Sequence, residues 1–118
     1  MAKRDTKIRY DFEEDILCLS KGKKSLSSIN IGDFVVDIDS RNLVCGIEIL
    51  NASENLKITP KELQTIEEGS MLITYKPKEI YIHLILKLKE KEKDITIPLT
   101  VDLGHDEIKK EKTKFGIA

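Results

Sequence analysis

Between Ile80 and Leu88 every second residue is apolar: Ile80, Ile82, Leu84, Leu86 and Leu88. The period returns at Ile95, Ile97, Leu99 and Val101, which alternate with Thr96, Pro98, Thr100 and Asp102. Period two is the side-chain repeat of a strand with one buried face, so the pattern commits the chain to β-sheet. Pro98 lacks the N–H that a ladder needs, which puts its strand at an edge or a bulge. The stretch Ile80 to Leu86 is apolar on both sides except at His83. Such a strand is either central in the fold or covered by another chain.

Shorter runs repeat the theme at Lys7–Tyr10, Ile16–Leu19 and Met71–Tyr75, broken by Phe12-Glu13-Glu14, Lys21-Gly22-Lys23 and Pro77. From Asp33 to Leu50 two β-rich runs flank Asp39-Ser40-Arg41-Asn42, a polar loop of turn-forming residues that predicts a hairpin. Opposing Ile38 with Leu43 also opposes Val36 with Cys45 and Phe34 with Ile47, and gives one wholly apolar face. Its other face carries Asp33, Asp37, Gly46 and Glu48, with Val35 and Val44.

One helix is signed locally. Thr59 is an N-cap, Pro60 suits the first helical position, and Glu62 completes a capping box. Ile58 and Leu63 stand at hydrophobic-staple positions, and Gly69 can end the helix. The expected fold is α+β and mostly β: an antiparallel meander of six to seven strands with one short helix at about 60–68. Residues 1–103 read as a single domain. Residues 104–118, rich in Lys and poor in apolar side chains, read as a charged tail or a marginal helix.

The 118 residues carry 20 basic and 21 acidic side chains, a net charge of −1. That balance disfavours nucleic-acid binding, which draws on several uncompensated Lys or Arg. Lys21, Lys23 and Lys24 read as a solvated turn. Met1 to Tyr10 has no apolar core segment, and no apolar run reaches the roughly 20 residues needed to span a bilayer. The expected location is cytoplasmic, with Cys18 and Cys45 reduced.

Tyr10-Asp11-Phe12-Glu13-Glu14-Asp15-Ile16-Leu17 resembles the opening of the YuzE-like family of small prokaryotic proteins. Val35-Val36-Asp37-Ile38-Asp39 followed by Gly46-Ile47-Glu48-Ile49-Leu50-Asn51-Ala52-Ser53 resembles its second half. The likeness covers residues 7–58, and leaves a helix plus strands over 59–103 outside it. Phe12, Asn42 and Asn51 stand where that family often has Pro, Gly and Asp. Asn42 can still take the left-handed conformation the hairpin needs. The family has no established activity. Some members look like the smaller partner of a toxin-like protein, which implies a protein-binding role.

Asp11, Glu13 and Asp15 alternate like the acids of a calcium loop, but Ile16 and Gly22 stand where that loop needs Gly and Glu. A turn is the simpler reading. Asp33, Asp37 and Glu48 fit the wet side of a half-buried sheet. The rival reading is a cation site or carboxylate enzyme that gathers Asp11, Asp15, Asp37 and Glu48. Cys18 and Cys45, set in apolar strands, read as small core hydrophobes, and His105 as solvated. No Gly-rich phosphate loop, nucleophile elbow or paired CxxC is present, and no cofactor is expected. The sequence therefore points to a non-enzymatic module that binds a protein partner or itself. Tyr81, His83 and Ile85 are the candidate interface, and a small-molecule ligand is left open.

Overall fold

A computed structural model of the chain describes residues 6–117. The elements are β1 (Lys7–Asp11), β2 (Ile16–Ser20), β3 (Ser27–Ile31), β4 (Phe34–Ile38), β5 (Val44–Ile49), α1 (Ala52–Leu56), α2 (Pro60–Leu63), β6 (Glu68–Lys76), β7 (Glu79–Lys87), β8 (Glu92–Thr100) and β9 (Lys109–Ile117). The strands join one nine-stranded sheet in the order β3-β4-β5-β2-β1-β9-β6-β7-β8, curled into a half-barrel. Neighbouring strands are antiparallel except β1 and β9, which run parallel over two residue pairs, Lys7 with Gly116 and Ile8 with Ile117.

This architecture corrects the expected meander of six to seven antiparallel strands. The main cause is the last segment. Residues 109–117, expected to form part of a charged tail, form β9 and fill the middle of the sheet. Phe115 is buried there and pairs opposite Gly69. Leu103, also buried, holds the crossover from edge strand β8. One apolar anchor per strand is too faint to show as a period, but it suffices once β6 supplies the ladder.

Most strand positions match the sequence reading. β8 lies at the sheet edge, as Pro98 requires. The apolar sides of β6, β7 and β8 enter a core cluster with Ile8, Leu17, Leu19, Val36, Ile47 and Ile49, so both halves share one interior. The β4–β5 register differs by two residues from the expected one. Phe34 pairs with Ile49 and Val36 with Ile47, and a bulge between Asp37 and Ile38 returns Ile38 to Val44. A two-residue shift preserves side-chain parity, so Asp37, Gly46, Glu48 and Val35 keep the outer face. The bulge turns Val44 inward, where it is fully buried. Asn42 takes the left-handed conformation at φ 60°.

The helix forms with its capping box intact: Thr59 Oγ1 accepts from Glu62 N–H, and Glu62 Oε1 accepts from Thr59 N–H. It ends at Leu63 rather than about 68, and Gly69 lies in β6 instead of closing the helix. A Cβ at Gly69 would stand 3.1 Å from Ile8 Cδ1 and 3.3 Å from Leu86 Cδ2, so the glycine admits close packing across the strand. A second helix, α1, was not foreshadowed. It has five residues and depends on side chains outside itself for its N-terminus.

Candidate functional site

The residues of the resembling segments converge on the start of α1. Asp15, itself at φ 56°, accepts from Tyr10 O–H at 2.6 Å, from Ser53 Oγ at 2.7 Å and from Ser53 N–H at 3.1 Å. Burial works to raise the Asp15 pKa, but the bonds from Tyr10 and Ser53 outweigh it and hold the carboxyl below its ordinary value. Asp33 accepts from the side-chain amides of Asn51 and Asn55, which fixes the other side of the helix entry. These acids tie a loop to a short helix, an architectural task.

Of the four carboxylates proposed to meet at a cation, the structure brings together none as a cluster. Asp11 is exposed and caps Glu14 N–H, whereas Asp15 serves α1. Asp37 accepts from Ser28 Oγ at 2.6 Å, and Glu48 accepts from the Cys18 thiol at 3.6 Å. Asp37 and Glu48 share the outer face of β4 and β5 but each has its own donor. Among the described residues, no three His, Cys, Asp or Glu side chains are grouped as a metal site.

Cys45 is buried, as expected of a core thiol. Cys18 is not in the core. It lies half-buried on the outer face, paired across the ladders with Arg9 and Glu48. Burial first, then the Glu48 charge, pushes its pKa up. His83 cannot serve either cysteine, because β1, β9 and β6 separate its strand from β2. It is bound to Asp94 across the β7–β8 pair.

The most elaborate polar arrangement is one the sequence did not announce. Lys21, expected in a solvated turn, has a side chain only 6% exposed and donates to Glu111 Oε1 at 2.6 Å. The same oxygen accepts from Tyr75 O–H at 2.9 Å, and the Tyr75 oxygen in turn accepts from Val44 N–H. Burial pushes the Tyr75 phenol far above its ordinary pKa, helped by the Glu111 charge, so it remains a donor. Burial also acts to raise Glu111, but the bonds from Lys21 and Tyr75 prevail and hold it low. His105, expected in solvent, is half-buried. Its ring lies 4.7 Å from that of Tyr75, and its Nε2 bonds Asn42 O. The signal available in sequence was the alternation of Glu111, Thr113 and Phe115 against lysines.

Tyr81, His83 and Ile85 stand half-exposed on the outer face of β7. Leu72 of β6 pairs opposite His83 and extends that patch. Lys76 lies over the Tyr81 ring at 4.6 Å, and Tyr81 O–H donates to Glu79. A cleft of about 290 Å³ opens where β1 runs past the end of β9. It is lined by Ile8, Arg9, Tyr10, Leu63, Gln64, Ile66 and Ile117, and so by no carboxylate, thiol or imidazole.

Fold and contacts together define a β-rich half-barrel whose polar networks brace the structure and whose outer sheet face is partly apolar. Residues 7–53 match the family described as protein of unknown function (DUF2283). An uncharacterised protein of Methanocaldococcus jannaschii is 40% identical over 58 residues, covering 48% of this chain and 50% of that protein. The chain thus spans half the length of this relative. A Methanosarcina mazei protein named "Putative hypoxanthine phosphoribosyltransferase" is 29% identical over 89 residues, covering 75% of this chain and 72% of that one. No solved structure matches. Among the described residues, no helix is long and apolar enough to cross a membrane.

Proposed function

We propose that the chain is a non-enzymatic protein-interaction module that binds through the outer face of β7, with self-association as its first form. The observation that carries this reading is the break in alternation at Tyr81, His83 and Ile85. A solvent-facing strand surface is ordinarily polar, whereas this one presents Tyr81 and Ile85 beside Leu72. The likeness of residues 7–58 to YuzE-like proteins, some of which look like partners of a toxin-like protein, supports a protein ligand. A cation-dependent or carboxylate enzyme finds less support, since Asp11, Asp15, Asp37 and Glu48 each have separate structural tasks. Phosphoribosyl transfer, which the name of one relative suggests, finds no Gly-rich phosphate loop in this sequence.

Light scattering at rising concentration, paired with pull-down from the cells of origin, tests the reading. The wild type should dimerise, or retain a partner that an Ile85→Glu variant loses. A wild type that stays monomeric, with no Ile85-dependent partner, removes the proposal.

A further inference from the structure

Strand β9 alternates Lys110, Lys112 and Lys114 with Glu111, Thr113 and Phe115. Phe115 is buried and Glu111 meets Tyr75 and Lys21, so the three lysines all stand on the opposite, outer face, where all are exposed. The next position on that face is Gly116, which has no side chain. Its parallel partner on β1 is Lys7, and Arg9 follows on the same side. Five cations therefore succeed one another at two-residue steps across the joint between the two halves. At roughly 3.3 Å per residue the steps along each strand are about 6.6 Å, the step from Lys114 to Lys7 adds a sideways shift of about 4.8 Å, and the line is about 26 Å long.

Among the described residues, none of the five sits in an ion pair. Arg9 meets the Cys18 thiol instead. Ser70, Leu72 and Thr74 flank the lysines on β6, and Glu68, exposed on the same face, stands opposite Gly116. Ser20 and Cys18 flank Lys7 and Arg9 on β2. Five like charges beside one carboxylate, Glu68, remain self-repelling, so an anionic segment laid along them is attracted to the row.

The partner chemistry follows from spacing and from the ends of the line. Side chains on one face of an extended peptide recur at the same interval as these cations. Carboxylates stand at both ends, Asp106 and Glu107 before β9, and Asp11, Glu13 and Glu14 beyond Arg9. They would repel a long polyanion that ran past the stripe. A single-stranded nucleic acid also seeks free aromatic faces for its bases. Here Lys76 covers the Tyr81 ring, Asp94 engages His83, and the exposed Phe12 beyond Arg9 sits among Asp11, Glu13 and Glu14. We infer that Lys110, Lys112, Lys114, Lys7 and Arg9 form a docking stripe for a short, extended, acidic protein segment with carboxylates at alternate positions. The inference rests on the binding-module reading and assigns it a second surface and a partner class.

The test uses the full chain and a labelled ten-residue peptide alternating Glu and Thr, followed by fluorescence anisotropy. Binding should saturate at about 20 mM salt and weaken at least ten-fold at about 300 mM, where the Debye length falls from roughly 20 Å to under 6 Å. A Lys112→Glu/Lys114→Glu variant should bind about ten-fold more weakly, whereas Lys24→Glu/Lys61→Glu, off the stripe and with the same change in net charge, stays within two-fold. Should the first variant fail to fold, Lys112→Gln/Lys114→Gln takes its place. The inference is overturned by no saturation at low salt, or by equal binding of a peptide with the same glutamates in one block. Tighter binding of a ten-nucleotide oligo-dT overturns it too, in favour of nucleic acid. Loss of peptide binding alongside intact Ile85-dependent association removes the stripe and leaves the module reading standing.

Discussion

Replacing Lys21 with Met tests whether the Lys21–Glu111–Tyr75 network braces the two halves of the sheet. Lys21 follows β2 in the first half, Glu111 belongs to β9, and Tyr75 lies in β6. The substitution keeps the apolar stem and removes the ammonium 2.6 Å from Glu111. Breaking a fully buried pair by removing one partner costs about 3–5 kcal/mol. The Glu111 side chain is 23% exposed and keeps the bond from Tyr75, so about 2–3 kcal/mol is expected here. For a domain of this size that lowers Tm by roughly 10 °C.

Adding Glu111→Gln to Lys21→Met removes the uncompensated charge, and the double variant should regain more than half of the loss. The coupling between the two sites is then at least about 1.5 kcal/mol, read from urea unfolding of the four proteins of the cycle. The pH dependence has a defined sign. Glu111 is held below its ordinary pKa in the folded chain. Its contribution is therefore fully present above the unfolded carboxyl value of about 4.3 and is lost as pH falls through the lower folded value. Lys21→Met should flatten this acid limb. A single-variant loss under about 0.5 kcal/mol, or strict additivity in the cycle, refutes the reasoning.

Other outcomes follow from the same contacts. Asp15→Ala leaves Ser53 N–H and the Tyr10 hydroxyl without their acceptor and should cost about 1–2 kcal/mol in urea unfolding; a change under half that would show α1 to be held by packing alone. Gly46→Ala sets a Cβ 3.2 Å from Leu19 O and 3.1 Å from Asp37 Oδ2. The carboxylate can swing aside but the backbone carbonyl cannot, so about 1–3 kcal/mol should be lost, and a neutral variant would contradict this. Burial and Glu48 raise the Cys18 pKa, so its alkylation at neutral pH should be slower than that of free cysteine, and Glu48→Gln should accelerate it. Equal rates in the two proteins would exclude the Glu48 contribution.

Residues that act through near neighbours were legible in sequence. Thr59, Pro60 and Glu62 announced their cap because all its partners lie within three positions. Pro98 placed its strand at an edge through one missing N–H. Except at Val44, which the bulge turns inward, the outer faces of β4 and β5 were assigned correctly even though the register slipped by two, because parity outlasts an even shift. Residues that act across the chain were not legible. Lys21 and Glu111 are 90 positions apart, and each looks like an ordinary surface charge beside its own neighbours. Cys18 sits in an apolar run, yet the sheet turns it outward toward Glu48.

Taken alone, the order of side chains determined that this protein would be built of strands, where most of them lie, and which side of each faces the core. Alternation is a property of one strand, and burial of its apolar side follows whatever its neighbours are. The tertiary structure decided which strands are neighbours. Strand β9 has one buried aromatic and four lysines, and only the ladder on β6 and the parallel contact with β1 make it central. That insertion buries Lys21 against Glu111 and aligns Lys110, Lys112 and Lys114 with Lys7 and Arg9. Strand pairing is a contest between distant segments for the same backbone hydrogen bonds, and its outcome is written in no single stretch of the chain.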